Sequence, residues 1–508
     1  MADRKTPGVY VVEENAFPNS IVEVATAIPA FIGCTQSAAR GSKQLIGVPT
    51  KITSMDDYSV LFGGAPVSAK TVNYAQAAKP GASPTVSMIE ATQFYFYSSM
   101  RLFFDNGGGT CYVVSVGLFD DVVTNGGMAS INFDDKCTAA LTALEKELDV
   151  TMIVVPDAVR AGLDSWQKIC QGVLQHCVKM QSRIGIFDIV NGNLPRTLDD
   201  ADIISGTNGF RASISGDGDS LNYATAYYPW LDTSINEASD VTFAWLSDDA
   251  RSLLITDLTA DAKVNVSNVG KLADLTTIIQ SIGTPLEPQK ARQAHLILNM
   301  QSSLYQQVMG DILDLSNVVP PSGAMAGVYA RVDDESGVFW APANVTINSV
   351  VKPTVSISDA EQEDLNVPLD GKAINAIRVI PNRDLVVWGA RTLDGNSEDW
   401  RYINVRRTII MLEQSIKNAA MTFVFHPNQS VTWGSIKSMI TNFLTARWKE
   451  GALAGTKAED AFSVDIGLGF TMTATDILDG YMNISVNVAL SHPAEFIVLT
   501  FKQQLQKS

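Results

Sequence analysis

The residues of this chain best suited to acid–base catalysis at neutral pH are its four histidines. They lie far apart in the sequence, and neither a GxSxG nor an HExxH motif accompanies them. A Ser-His-Asp triad could still assemble in space, because triads are defined by geometry and not by sequence order. Structural or surface roles are the simpler expectation, and we predict no catalytic residue. The histidines are His176, His295, His426 and His492.

A glycine triplet, Gly107 to Gly109, is the chain's nearest approach to a phosphate-binding loop. Nucleotide-binding loops follow a strand and open a helix, so that the helix N–H groups face the phosphate. Here a helical pattern over residues 88–104 precedes the glycines, and a strand pattern over residues 111–116 follows them. The order therefore predicts the end of a helix and a tight turn.

Two acidic residues, Asp217 and Asp219, lie in a short Ser/Gly/Asp run that resembles a fragment of a calcium loop. The later ligands and the closing glutamate of such a loop are missing, so an acidic surface turn is the better interpretation. The chain has five cysteines without CxxC spacing. This pattern predicts buried free thiols rather than disulfides or a zinc site. We predict neither a metal nor another cofactor.

The composition indicates a folded, acidic, multidomain protein. The chain has 508 residues, of which 46% are hydrophobic and 18% charged, and its formal net charge is −17. A chain of this length is too long to fold around a single hydrophobic core, so several domains are expected.

The negative charge repels phosphate backbones, so nucleic-acid binding is not expected. No apolar run reaches the roughly 18 residues of a membrane span, and no signal-peptide core is visible, so we expect synthesis and assembly in the cytosol and no membrane insertion.

The middle of the chain alternates between helical and buried-strand patterns. A helix over residues 139–148 leads to an apolar strand over 152–155, and a helix over 164–180 leads to a second strand over 184–190. This alternation predicts a parallel sheet and an α/β fold, mixed with α+β regions. Residues 191–260 are expected to be rich in loops, and residues 289–315 to form one helix.

A last unit begins near Leu385 and contains two amphipathic helices. Apolar residues recur at helical spacing over residues 403–421, and again over residues 431–449. Arg447 falls inside the apolar arc of the second helix, where it either extends to solvent or meets a partner. Three strands are predicted to close the chain, over residues 462–470, 481–490 and 494–501.

Both ends of the chain carry short β-prone segments that are apolar on both faces. A strand of this kind requires burial on both sides, and left free it would template aggregation. Each segment could pack into its own domain, or it could add as a strand to a neighbouring subunit. The segments contain Val9, Tyr10, Val11 and Val12 at one end, and Phe496, Ile497, Val498, Leu499 and Phe501 at the other.

A series of short motifs, spread over nearly the whole chain, carries the strongest functional signal. They are TPGVYVVEE (6–14), ATAIPAFIG (25–33), YYPWL (227–231), PPSGAMAGVYARVDDESGVFWAPAN (320–344), WGARTL (388–393), WRYINVRR (400–407), GALAG (451–455) and PAEFIVLTF (493–501). In this order they resemble the subunit of the contractile tail sheath of bacteriophages and phage-tail-like injection systems.

The resemblance implies a non-enzymatic structural subunit. In this family the subunits form a homo-oligomer of stacked, usually hexameric rings around an inner tube protein, together with baseplate and cap proteins. A baseplate signal triggers contraction, which drives the tube through a target envelope. The middle domain has a subtilisin-like α/β topology without protease activity and faces outward. Terminal arms complete a small sheet with strands of adjacent subunits, here expected at residues 464–470 and 481–490.

The same resemblance sets the expected domains and the expected tube contact. The domains are an N-terminal arm (1–22), an N-terminal mixed β region (23–120), an outer subtilisin-like α/β domain (121–380), a C-terminal α/β assembly and tube-facing domain (381–492) and a C-terminal arm (493–508). In the C-terminal domain the helix over residues 431–449 is the candidate for the tube contact. Its cations, available for an acidic tube surface, are Lys437, Arg447 and Lys449.

The leading hypothesis is therefore a contractile sheath subunit. One alternative is an enzyme or degenerate hydrolase on an α/β scaffold, and another is a different phage component that uses strand exchange. The sequence leaves open whether the particle is a phage tail, a released injection particle or a membrane-anchored secretion machine. The number of sheath paralogues and the extended or contracted state are also left open.

Overall fold

The computed structural model of the protein describes residues 20–66, 72–77, 83–90 and 93–496. The chain divides into a larger unit, Ala25–Arg407, and a smaller unit made of Met1–Val24 and Thr408–Ser508. Strands and helices mix throughout, which confirms the predicted α/β class; the subtilisin-like topology stays a prediction. Within the described residues no helix is both long enough and apolar enough to cross a bilayer.

The strands are short and lie mainly in the larger unit. They are β1 (Pro29–Thr35), β2 (Ala39–Arg40), β3 (Lys43–Gln44), β4 (Thr50–Ile52), β5 (Val72–Ala75), β6 (Thr85–Met88), β7 (Cys111–Leu118), β8 (Met152–Val154), β9 (Ile184–Asp188), β10 (Ala224–Tyr228), β11 (Leu231–Thr233), β12 (Val318–Val319), β13 (Val350–Pro353), β14 (Asn375–Val379), β15 (Leu385–Trp388), β16 (Phe462–Ile466) and β17 (Ile484–Val488).

Helices connect most of these strands. They are α1 (Met55–Phe62), α2 (Phe96–Asp105), α3 (Phe119–Thr124), α4 (Phe133–Leu144), α5 (Leu163–Met180), α6 (Phe210–Ser213), α7 (Gly218–Leu221), α8 (Asp248–Asn265), α9 (Val269–Ser281), α10 (Pro288–Gln301), α11 (Ser303–Ser316), α12 (Ser322–Ser336), α13 (Asp359–Asn366), α14 (Ile403–Ala420), α15 (Ser430–Lys449), α16 (Ala458–Ala461) and α17 (Ala474–Leu478).

The main sheet of the larger unit has the strand order β15-β14-β10-β9-β8-β1-β7-β4. Its central neighbours, from β14 to β7, pair in parallel, and the pairs β14–β15 and β4–β7 at its two edges are antiparallel. Every residue of β1 is buried, as expected of a parallel strand with both faces covered. The predicted parallel sheet is thus confirmed. It combines strands from both sides of residue 120, while the expected outer and inner domains remain predictions.

The long motif at residues 320–344 builds a closely packed helix pair. Gly323 and Gly327 lie one turn apart on α12 and face α2. A Cβ added to Gly323 would lie 2.6 Å from Ser99, and a Cβ added to Gly327 would lie 2.4 Å from the carbonyl oxygen of Phe103. Only glycine permits this approach. At the start of α12 the buried Asp188 carboxylate accepts hydrogen bonds from the Ser322 N–H, at 2.9 Å, and from its hydroxyl. The small residues at the start of this motif are therefore explained by packing.

A helical segment between β11 and β12 has its own core. Helices α8 to α11 and the β5–β6 hairpin surround a buried cluster that includes Trp245, Leu254, Leu298 and Tyr305. The predicted helix over residues 289–315 is broken into α10 and α11, because the Ser302 hydroxyl accepts a hydrogen bond from the N–H of Tyr305 and caps a new helix. Helix α8 also begins at Asp248, inside a region expected to be loops.

Other predicted boundaries shift by a few residues. The helix expected over 88–104 begins at Phe96, because Met88 ends strand β6. It ends at Asp105, and Gly107 has a φ of +98°, which confirms the helix end and turn predicted at the glycine triplet. The predicted helices over 403–421 and 431–449 correspond to α14 and α15. In the acidic run, Asp217 caps the short helix α7 through the N–H of Ser220.

Candidate assembly surface

The smaller unit contains a two-stranded antiparallel ribbon, β16–β17, in which Phe462 lies opposite Val488 and Ile466 opposite Ile484. Both strands alternate, so one face of the ribbon is apolar and the other is polar. On the polar face the Asn487 amide donates to the Ser463 hydroxyl at 3.0 Å. The apolar face consists of Phe462, Val464, Ile466, Ile484, Val486 and Val488.

The ribbon is incompletely covered by the smaller unit. Of its apolar residues only Val464 is buried, and the three on β17 are half-buried. Within the described residues neither β16 nor β17 takes a third strand into its sheet. A two-stranded ribbon is marginally stable alone, and an open edge is a template for another strand. The ribbon can therefore accept an additional strand.

The predicted acceptor strands are shorter in the structure. Strand β16 ends at Ile466 and not at residue 470, because Gly467 and Gly469 adopt φ of +145° and +79° and turn the chain. Strand β17 begins at Ile484 and not at residue 481, because the preceding residues belong to helix α17 and the turn that follows it. The Thr473 N–H and hydroxyl bond to Asp476 in this connection and hold the pKa of that carboxyl below its usual value.

The predicted arm residues lie almost entirely outside the described residues. This is true of Val9, Tyr10, Val11 and Val12, which precede residue 20, and of Ile497, Val498, Leu499 and Phe501. Phe496 is described; it is 73% exposed, and residues 494–496 form no strand. The donation of strands by both arms stays a prediction.

Arg447 on α15 is engaged within its own unit. Its guanidinium pairs with the carboxylate of Glu23 and with that of Glu450, the latter at 2.8 Å. It also lies 5.6 Å from the centre of the Phe443 ring. Its side chain is only 19% exposed. Arg447 therefore ties residues 20–24 to α15, and its charge is largely neutralised there.

The other two candidate cations of α15 are exposed. Lys437 lies 3.8 Å from Asp465 of β16, and both side chains are about half exposed. Such a pair is weak and can exchange partners. Lys449 ends the helix and is exposed, and within the described residues no ion pair involves it. Of the three cations, Lys449 is thus the most available to another molecule.

Sequence reasoning missed the two turns of the smaller unit that expose large apolar side chains. The turn between α14 and α15 exposes Phe425, and the connection between β16 and β17 exposes Phe470 and Leu478. Hydrophobic periodicity assigns helices and strands but carries no information about exposure in a turn. The available signal was compositional, since the runs MTFVFHP (421–427) and GLGF (467–470) are unusually apolar for turns.

The histidines do not assemble into a catalytic group in the parts of either unit that the structure describes. His176 is buried against Arg183, and burial together with that guanidinium lowers the pKa of the imidazole to about 4. His295 lies 3.0 Å from the hydroxyl of Tyr305 in the core of the helical segment. His426 follows the exposed Phe425 in a turn of the smaller unit. The described residues contain no cluster suited to bind a metal.

Two family models match this chain. The model of the phage tail sheath protein central domain matches residues 218–393, and that of the phage tail sheath C-terminal domain matches residues 396–504. Together they span more than half of the chain. The second match contains α14, α15, the ribbon and the exposed turns.

Curated relatives and solved structures agree with these matches. The tail sheath proteins of Burkholderia phage BcepMu and Salmonella phage ViI are 29% and 24% identical over 27% and 44% of this chain. The matched regions span 30% and 36% of those relatives, so the chain spans about a third of their length.

Among solved structures, two contracted sheaths match along almost the whole chain. The helical sheath of the anti-feeding prophage (AFP) is 26% identical, with a TM-score of 0.61, and the match covers 99% of this chain and 100% of that one. The PVC sheath complex of an extracellular contractile injection system is 27% identical, with a TM-score of 0.57, and covers 99% of both chains.

Proposed function

This chain belongs to the contractile tail sheath family, and we propose that it polymerises as stacked hexameric rings around an inner tube and contracts to drive the tube through a target envelope. The observation that carries the proposal is the similarity, over the whole length of both chains, to the protein of a helical sheath. The proposal includes no catalytic step. The work of contraction comes from the free-energy difference between two packings of the same subunits.

We further propose that the ribbon β16–β17 receives the terminal arms of neighbouring subunits. Within the described residues β16 and β17 take no third strand, although Leu453 forms a single bridge to Leu490 just beyond β17. This arrangement and the half-buried apolar residues of β17 support the proposal. An arm that adds to either edge satisfies backbone groups and covers apolar surface at once. Arms that link many copies act together, because each link raises the effective concentration of the next. Flexible links of this kind also let a lattice change its geometry without coming apart.

For the inner tube we propose a contact through α15, led by Lys449. Lys437 can join it by leaving its weak pair with Asp465, whereas Arg447 is committed to Glu23 and Glu450. An acidic tube surface is the matching chemistry. A photo-cross-linker at position 449 should yield an adduct with the tube protein in the assembled particle, and an adduct with the sheath alone would reject this contact.

The particle is proposed to be a phage-tail-like injection system, because the solved sheaths that match over the whole chain come from such systems. A phage tail is the competing assignment, since the curated relatives are phage proteins. We propose synthesis and assembly in the bacterial cytoplasm, with baseplate and cap proteins as further partners. Neighbouring genes decide between the two, because capsid genes would indicate a phage.

The direct test is polymerisation of the purified chain with and without its C-terminal arm. The full chain should form long tubes in negative-stain images. Removal of residues 493–508 should abolish the tubes and leave unfolding in urea unchanged, because the ribbon then lacks a donated strand. Removal of residues 503–508 alone is the matched control and should leave the tubes intact. Normal tubes from the longer truncation would reject the arm assignment. Closed shells, or a full chain that stays small, would instead favour another phage component or an enzyme.

A further inference from the structure

Two connections of the smaller unit expose large apolar side chains. One leads into helix α15, and the other joins the two strands of the ribbon. Residues 421–429 join α14 to α15, whose first turn contains Val431, and residues 467–483 join β16 to β17. Single exposed apolar residues are common on protein surfaces, but a group of them marks an interaction site. We name this group the apex surface; it consists of Val424, Phe425, Val431, Phe470, Leu478 and Tyr481, which are 58%, 102%, 72%, 85%, 86% and 63% exposed.

One hydrogen bond joins the two turns, and a second connects the first turn to α15. The Asn428 amide donates to the Tyr481 carbonyl oxygen at 2.9 Å, and the Trp433 indole donates to the Asn428 side-chain oxygen at 2.8 Å. A Cβ added to Gly467 would lie 3.8 Å from the Trp433 ring. The first turn is therefore tied both to the second turn and to α15.

Phe425 is the most unusual residue of the apex surface. Its φ is +69°, a left-handed conformation that bulky L-residues rarely adopt, and its side chain is fully exposed. The turn is closed by the His426 N–H, which donates to the Phe423 carbonyl oxygen at 2.9 Å. Asparagine or glycine would fit this backbone with less strain. Phe425 thus lowers the stability of the free subunit, and residues of this kind occur where another molecule uses them.

The charge of the two turns favours another copy of this chain as that molecule. Residues 421–431 and 467–483 contain no lysine or arginine, and their acids are Asp476 and Asp479. Each copy carries a formal charge of −17, so copies repel one another. An apolar contact allows two acidic copies to join without burying like charges.

The position of the turns favours the same partner. Residues 467–483 continue directly from β16 and β17, whose length of five residues each corresponds to roughly 17 Å. A copy that adds its arm to this ribbon is held within that distance of the apex surface. We propose that the apex surface is a contact between neighbouring copies of this chain in the polymer, with Phe425 as its anchor. The inference rests on the proposed function and adds a second, arm-independent contact to it.

The first test separates folding from assembly with Phe425→Asn. This variant should unfold at the same or a higher urea concentration than the wild type, because asparagine tolerates the left-handed backbone. It should need a subunit concentration about tenfold or more higher to form polymer, as expected for loss of an aromatic anchor. Met300→Gln, at an 82% exposed site on α10, is the matched control and should polymerise like the wild type. Polymerisation of Phe425→Asn at the wild-type concentration, or a loss of subunit stability, would overturn the proposal.

The second test identifies the partner with a photo-reactive benzoylphenylalanine at position 425. Illumination should produce an adduct of twice the subunit mass from position 425 and none from position 300. An adduct with a different protein only, or no adduct at all, would overturn the choice of partner. If the wild-type chain forms no polymer, the proposed function fails, but cross-linking from position 425 at high subunit concentration still decides whether copies meet there.

Discussion

The main sheet of the larger unit and the ribbon of the smaller unit differ in how far their own chain covers them. All residues of β1 are buried, and those of β9 and β10 are as well. In the ribbon only Val464 is buried, although both strands have an apolar face. The apolar strands of the larger unit are therefore covered by their own chain, whereas those of the ribbon in the smaller unit are left partly uncovered.

Ionic contacts show the same difference. In the larger unit Arg407 forms two hydrogen bonds to Asp333, at 2.8 and 2.5 Å, and both side chains are almost fully buried. Thr26 donates to the same carboxylate at 2.5 Å. In the smaller unit Lys437 and Asp465 lie 3.8 Å apart and are about half exposed. Arg407 and Asp333 thus neutralise each other inside the larger unit, whereas Lys437 and Asp465 form a pair that can exchange partners during assembly.

Among the substitutions that test this contrast, Asp333→Ala should lower the free energy of unfolding most. The substitution leaves the Arg407 guanidinium buried without its carboxylate, and breaking a buried pair in this way costs about 3–5 kcal/mol. Asp465→Ala in the smaller unit should cost at most about 1 kcal/mol, as for exposed pairs. Urea unfolding monitored by tryptophan fluorescence measures both free energies. Equal losses from the two substitutions would contradict the contrast.

The elements that could be predicted from the sequence are those with a strong local pattern. Strands β8 and β9 are continuous apolar runs, and α14 and α15 have clear helical stripes, so their types and approximate bounds were correct. The break at Ser302 was missed because the apolar pattern continues across it while one hydroxyl caps a new helix. At the two edges of the main sheet, β4 pairs antiparallel with β7 and β15 pairs antiparallel with β14. These pairings depend on partner strands, which local sequence patterns do not report.

The candidate assembly surface was predictable only in part. The motif containing Phe496 and the two-faced apolar character of the arms pointed to strand exchange, and the ribbon appears where the acceptor strands were expected, though shorter. The engagement of Arg447 with Glu23 could not be foreseen, because those residues are 424 positions apart. The exposure of Phe425 was also hidden, since a sequence does not show which apolar residues are left uncovered.

A smaller effect is expected from Gly323→Ala in the tightly packed larger unit. The added Cβ would lie 2.6 Å from both the Cβ and the backbone oxygen of Ser99, and backbone atoms yield less easily than the end of a flexible side chain. Overpacking of this kind costs about 1–3 kcal/mol. Thermal or urea unfolding checks the loss. A neutral result would show that the α2–α12 pair is looser than the close approach of Gly323 and Gly327 implies.

The smallest expected change in the free energy of unfolding is an increase, and it comes from Gly434→Ala on α15 in the smaller unit. A Cβ added there meets no atom within 4 Å, so the substitution creates no clash. Alanine also loses less backbone entropy than glycine in a helix, which should stabilise the unit by about 0.5–1 kcal/mol. If Gly434→Ala stabilises the free subunit but hinders polymerisation, the open space beside α15 is filled by another molecule in the polymer. If it stabilises without any effect on polymerisation, that part of α15 stays exposed to solvent in the polymer.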